Sequence, residues 1–302
     1  MNILIVNYHY IREIKKNNGI FGITFEKFKK QISQIGSYRD FISTKDILFK
    51  KLDSKKKYCL ITFDDSLYEQ IQAFECLFKN KIPFISFCSS YPYIEKKILS
   101  VHKIHLIFSK LSIFEIKELI NKYFNFNDVL NNSRLFKNNY KFGNLDIKNI
   151  KLFLNFFCDP KLKEDKINFI FKKMGFDEKK ILKSLYIPIK YLKNLSNHEM
   201  LGSHGHNHLP LGLLNYSEMR KDLVISNKFM YDVNSNIKIK NFSYPFGREK
   251  SYSINVIKQL KIMNYNLAFT MNRGINSSLK EKLLLKRVDT NDLIDGRYNH
   301  ES

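Results

Sequence analysis

An apolar, β-prone run, Tyr58-Cys59-Leu60-Ile61-Thr62-Phe63, ends abruptly on Asp64-Asp65. This junction restricts the fold more than any other stretch. The run reads as a buried strand. Adjacent carboxylates repel and cost desolvation energy, so a core strand has no structural use for them. At the C-terminal end of a buried parallel strand they are well placed for chemistry. One can hold a metal ion while the other takes a proton from water. The competing reading is a helix N-cap, because a helical pattern follows at once. Capping, however, needs only one of Asp64, Asp65 and Ser66.

Far downstream, Ser203-His204-Gly205-His206-Asn207-His208 gathers three histidines. On a helical turn the spacing of His204 and His208 puts both imidazoles on one side, close enough to share an ion. Two neutral nitrogens and a carboxylate suit zinc or a similar divalent ion, with positions left for water and substrate. Alone, the stretch also reads as a solvated histidine-rich turn. His206 is expected to point elsewhere.

Thr62-Phe63-Asp64-Asp65 followed by Gly202-Ser203-His204 and His208 resembles the NodB-type polysaccharide deacetylases, a carbohydrate esterase family. Phe242-Ser243-Tyr244-Pro245-Phe246-Gly247 is similar to that family's strand-end motif around a Pro-aromatic-Gly. Asn7-Tyr8-His9-Tyr10 resembles the opening strand end of the poly-N-acetylglucosamine deacetylase branch, in which the histidine is the general acid. The resemblance covers the start of the chain to about residue 95 and then about 187 to 290.

It implies an α/β fold, a distorted seven-stranded (β/α) barrel, and removal of an N-acetyl or similar small acyl group from an aminosugar or glycan in cell-surface polysaccharide biosynthesis. It implies Asp65, His204 and His208 as ligands of one divalent ion, zinc foremost. Asp64 would be the base, His9 the acid, and Phe246 with Tyr244 would lie at the substrate and oxyanion. Arg287 is expected to orient Asp64 and lower its pKa. Two positions depart from the family pattern. Ser243 stands where many relatives carry an arginine that braces the base. The segment around Arg287 lacks the histidine of a late Leu-x-His motif. His9 and Arg287 are expected to substitute, which favours the poly-N-acetylglucosamine branch.

The rest of the chain fits this frame. Ile3–Val6 is a strand, Thr24 caps a helix over Phe25–Ile35, a helix follows over about 67–79, and Ile82–Cys88 is the next strand. Strands and helices alternate as in parallel α/β folds. From about 95 to 187 only helical patterns appear, opened by the capping box Ser112-x-x-Glu115, by Asp146, by Asp159-Pro160 and by Asp177. This all-helical insertion reads as a small core of its own, or as a lid over the site. His102 and His105 lie at its entrance; spaced by three they could reach the site, but they read as structural. Strands near 199, 238, 266 and 283 complete seven, with Ser217 capping a helix between them. Residues 1–302 are thus expected to form a single catalytic domain carrying the insertion 95–187. His9, Asp64-Asp65, His204, Pro245-Phe246-Gly247 and Arg287 all fall at strand C-terminal ends or just beyond, and in a barrel those ends share one face.

Lys+Arg 51 against Asp+Glu 29 gives a net charge of +22. An anionic partner is one reading: nucleic acid, a membrane surface or a phosphate-bearing carrier. The lysines are dispersed and do not gather into one arm with interleaved aromatics, which favours compositional bias over nucleic-acid binding. Four cysteines without CxxC spacing suggest a reducing compartment. Met1–Tyr10 reads as a strand rather than a signal peptide, and no apolar run is long enough to span a membrane. The expected location is the cytoplasm. The alternatives are a deformylase or amidohydrolase acting on a nucleotide- or lipid-linked aminosugar, and a non-catalytic protein that binds anionic ligands.

Overall fold

The computed structural model describes residues 1–13, 20–124, 126, 144–294 and 296–298. The chain runs β1 (Asn2–Tyr8), α1 (Phe25–Gly36), β2 (Asp40–Phe41), α2 (Thr44–Phe49), β3 (Lys57–Phe63), α3 (Ile71–Lys79) and β4 (Phe84–Cys88). Helices follow: α4 (Tyr91–Ile94), α5 (Ser100–Phe108), α6 (Ile113–Tyr123), α7 (Leu145–Leu152), α8 (Pro160–Lys173), α9 (Glu178–Leu185) and α10 (Ile189–Asn197). Then come β5 (Leu201–Ser203), α11 (Tyr216–Val233), β6 (Asn241–Ser243), α12 (Ile254–Ile262), β7 (Leu267–Phe269), β8 (Val288–Asp289) and a hairpin of β9 (Leu293–Ile294) and β10 (Arg297–Tyr298).

The main sheet has the order β7-β6-β5-β4-β3-β1-β8, with β2 also against β3. Every pairing in it is parallel. These are the seven expected strands, curled into a half-barrel with helices around it, plus the two-residue β2. Of the expected Leu283–Val288 strand only Val288 is regular, as the first residue of β8. Leu285 bridges to Phe269 of β7, and Val288 pairs with Val6 of β1, so this segment touches both edges of the curled sheet.

The period of two along each strand sorts side chains between two cores. Leu4, Val6, Tyr8, Cys59, Ile61 and Phe63 pack outward in one cluster with Phe28 of α1, Phe74 of α3 and Leu195 of α10. Ile3, Ile5, Tyr58, Leu60, Ile85, Phe87, Leu267 and Phe269 form a second cluster on the sheet's other face. The next inward positions are Asn7 and Thr62, so polar groups succeed apolar ones toward the strand ends.

The helices between β4 and β5 build their own core around Ile104, Phe108, Ile116, Ile120, Ile150, Leu154 and Ile170. Residues 125 and 127–143 of the expected insertion lie outside the described residues. Ser112, Asp159 and Asp177 cap their helices as expected. Two caps differ. Asn144 rather than Asp146 caps α7, and Asn215 rather than Ser217 caps α11, because each asparagine has an extended backbone and accepts from an N–H of the first turn. All four cysteines are free. Among the described residues no helix is long and apolar enough to cross a membrane.

Candidate metal and catalytic centre

Asp64 follows β3 directly and is buried. Arg287, which just precedes β8, meets it with a two-pronged pair: Nη1 donates to Oδ1 at 2.9 Å and Nη2 to Oδ2 at 2.7 Å. Asn7 Nδ2 donates to Oδ2 at 2.9 Å. The remaining guanidinium donors are spent on Thr270 O at 3.0 Å, Asn7 Oδ1 at 2.9 Å and Ser243 Oγ at 2.7 Å. Burial alone raises the Asp64 pKa, but the Arg287 guanidinium, with His204 behind it, outweighs burial and holds the carboxyl well below the usual range. Ser243 thus serves as an acceptor for Arg287, whose guanidinium reaches Asp64 from the far edge of the sheet.

Asp65 turns the other way. Its φ of +74° is left-handed and Ser66 follows at +46°, so the chain bends sharply after β3. Asp65 Oδ1 lies 3.7 Å from His204 Nε2 and 3.3 Å from His208 Nε2. One ligand atom from each of Asp65, His204 and His208 falls within 4.8 Å of the others, and all three residues are buried. Asp65 Oδ1 has no hydrogen-bond partner among the described residues. A buried carboxylate oxygen facing two imidazole nitrogens without a donor suits a cation.

His204 is held in the required tautomer. Its Nδ1 lies 2.7 Å from the Ser243 carbonyl, which can only accept, so Nδ1 carries the proton and Nε2 keeps its lone pair. Burial lowers the His204 pKa to about 4, which keeps the ring neutral at pH 7. The turn that presents both histidines is tied by Asp222 of α11, which accepts the backbone N–H groups of His206 at 2.7 Å and Asn207 at 2.9 Å. His206 points away and meets Ser90 Oγ at 2.8 Å.

These groups open on a cavity of about 230 Å³. His9 lines it, with Nε2 3.8 Å from Asp64 Oδ2. Phe246, at a φ of +62°, lays its ring 4.9 Å from that of His208 and 5.2 Å from Phe156. The helical segment supplies Val101, His105, Ile147, Lys151, Asn155 and Phe156 to the wall. Asn155 and Phe156 sit in a π-helical turn, Phe153–Phe157, that follows α7. Tyr244 does not reach the cavity. It is fully buried, its hydroxyl donates to Leu283 O at 2.9 Å, and it packs with Phe242 and Tyr252 behind β6. Ser243 before it faces inward to Arg287, which puts Tyr244 on the outer face of the strand, away from the cavity lining.

Residues 190–265 match the family model for polysaccharide deacetylase. The fold matches solved deacetylases over nearly its whole length. This is a polysaccharide-deacetylase fold. The deacetylase PplD of Streptococcus pyogenes, solved in complex with acetate, aligns at a TM-score of 0.57 and 15% identity, covering 96% of this chain and 92% of that one. IcaB from Ammonifex degensii aligns at 0.56 and 14%, covering 95% and 91%. The deacetylase domain of BpsB from Bordetella bronchiseptica aligns at 0.53 and 12%, covering 95% of each chain. Comparison with curated protein sequences finds no match.

Within this polysaccharide-deacetylase fold, Asn7 and Thr62 join the site although the sequence assigns them no role of their own, and His102 lies closer to it than a structural histidine needs to. The first two carried a signal: they are the polar residues in otherwise apolar strands, at inward positions. His102, read as structural, has its Nε2 3.4 Å from Asp65 Oδ2.

Proposed function

We propose that the chain is a metal-dependent carbohydrate N-deacetylase that hydrolyses an N-acetyl or similar small acyl amide on an aminosugar or glycan. One observation carries the reading. Two neighbouring buried aspartates are given opposite partners: Asp64 a guanidinium, Asp65 two imidazole nitrogens. Asp65, His204 and His208 would hold the ion, with zinc the best match to one carboxylate and two imidazoles. An ion there acidifies water and polarises the acyl carbonyl. Asp64, kept ionised by Arg287, takes the proton of the attacking water. His9, across the cavity from it, gives a proton to the leaving amine. The turn at Phe246 faces the same space and is suited to present its backbone N–H to the oxyanion.

His9 and Arg287 together favour the poly-N-acetylglucosamine branch, since they take the parts that other deacetylases assign to a late histidine and a strand-end arginine. The acetate in the Streptococcus pyogenes neighbour is the product expected here. The cationic side chains on the cavity wall, Lys148, Lys151, Arg248 and Arg273, favour a second reading: a deformylase or related amidohydrolase on a nucleotide- or lipid-linked aminosugar. A cytoplasmic location, proposed from the sequence, would suit such a substrate.

Metal content by elemental analysis is the first test. About one divalent ion per chain is expected in the wild type, and none in His204→Ala or Asp65→Asn. A screen of acetylated and formylated aminosugars then separates the two substrate readings. Absence of metal after reconstitution with zinc overturns both and leaves an anion-binding protein.

A further inference from the structure

The helical segment between β4 and β5 also touches the candidate ligand set. His102 of α5 and Tyr186, which follows α9, are buried beside Asp65. His102 Nε2 lies 3.4 Å from Asp65 Oδ2, and His102 Nδ1 lies 2.6 Å from the Tyr186 hydroxyl. That hydroxyl oxygen already accepts the Leu99 N–H at 3.1 Å. With a donor on one side, the hydroxyl turns its own proton toward Nδ1, which accepts it. Burial raises the Tyr186 phenol well above its usual pKa, so the proton stays on it. An imidazole that accepts at Nδ1 carries its hydrogen on Nε2, the atom that faces Asp65. Nε2 is buried and has no hydrogen-bond partner among the described residues. At 3.4 Å the two atoms are within donor–acceptor reach, and the present orientation of ring and carboxylate leaves the bond unmade.

We propose that His102, fixed in one tautomer by Tyr186, is a positioning residue of the candidate metal centre: its Nε2–H holds Asp65 Oδ2 and leaves Oδ1 facing His204 and His208. The inference rests on the metal reading above. The same tautomer excludes His102 as a ligand, since a protonated Nε2 has no lone pair to give. The helical segment then acts on the ion as well as on the cavity wall. The chain Leu99–Tyr186–His102–Asp65 ties the start of α5 and the end of α9 to the strand end that bears Asp65. Tyr186 is itself bridged to Leu67, two residues beyond Asp65.

Zinc affinity by competition with a chromophoric chelator tests this in the full chain, for wild type, His102→Leu, His102→Gln and Tyr186→Phe. His102→Leu is expected to weaken zinc about 10- to 100-fold, in the range typical of outer-shell partners of metal ligands. His102→Gln should recover most of that affinity, because its amide N–H reaches the same carboxylate. Tyr186→Phe should fall between, since it frees the tautomer. Unchanged affinity in His102→Leu, beside a wild type that binds one zinc, overturns the role and leaves the metal reading standing. Equal loss in His102→Gln and His102→Leu overturns the donor role and marks His102 as a ligand. If His102→Leu melts without cooperativity, Tyr186→Phe decides: wild-type affinity there overturns the proposal. A wild type that binds no zinc removes the metal reading and this inference with it.

Discussion

Arg287 is the residue on which the centre turns. Its side chain is fully buried, and it is bonded to Asp64, Asn7, Ser243 and the Thr270 carbonyl. Removing one partner of a buried pair leaves the other charge uncompensated. Arg287→Met is therefore expected to lose about 3–5 kcal/mol at neutral pH, read by urea denaturation. The pH dependence has a definite sign. The folded-state pKa of Asp64 is depressed, so the stability it contributes is present above its unfolded pKa and lost as pH falls through the folded value. Without Arg287 the largest opponent of burial is gone and the pKa rises. The deficit of the variant should then shrink as pH falls, because a protonated Asp64 no longer needs the guanidinium. The acid limb of the pH–rate profile should move to higher pH in the same variant. Asp64→Asn separates the two aspartates: it should keep its metal and lose about 10²- to 10⁴-fold in kcat, as expected for loss of a general base.

At the scale of elements, β5 owes its path to Gly202. A Cβ there would stand 2.5 Å from two ring carbons of Phe87 and 2.9 Å from the Asn241 carbonyl. The Phe87 ring lies under the Arg287 guanidinium, 5.8 Å from its centre. Gly202→Ala therefore strains the support of the Asp64 pair as well as the packing of β5 and β6. It is expected to cost about 1–3 kcal/mol in urea denaturation, the usual range for overpacking. The strand that bears Gly202 was legible in the sequence because Met200 and Leu201 return to strand character just before His204. So were β1, β3 and β4, each a largely apolar run with a polar residue just after it: His9, Asp64 and Ser89. β2 was not, since two residues cannot establish a period. Asp64, Asp65, His204 and His208 were legible because chemistry needs those types at strand ends. His102 was not, because a histidine on an apolar helix face has the same sequence pattern whether it packs or pairs. Its role lies in a contact between α5 and the end of β3, which spacing along the chain does not encode. Tyr244 was misplaced for a related reason: Ser243 before it faces inward to Arg287, so Tyr244 faces outward, and Phe246 turns toward the cavity only because its left-handed backbone breaks that alternation.

The candidate centre joins parts of the molecule that are distant in sequence. Asp65 lies two residues beyond β3, His204 and His208 follow β5, and β4 with the whole helical segment intervenes. Asp64 and Asp65 are both buried carboxyls, and Arg287 compensates the charge of Asp64. A divalent ion would compensate the other and link the two loops. A ligand that binds only the folded chain adds RT ln(1 + [L]/Kd), about 2.7 kcal/mol at a hundredfold excess over Kd. For a chain of this size that corresponds to a rise in Tm of about 5 °C. Zinc should therefore raise the melting temperature of the wild type by about this amount, and a chelator should reverse it. His204→Ala should melt at the same temperature with and without zinc. Its response is the decisive comparison, because the +22 charge and the exposed His198 offer zinc and its counter-anions other places to bind. An equal rise in His204→Ala would mean that the stabilising ion sits elsewhere on the chain. A rise confined to the wild type would tie global stability to the meeting of Asp65 with His204 and His208.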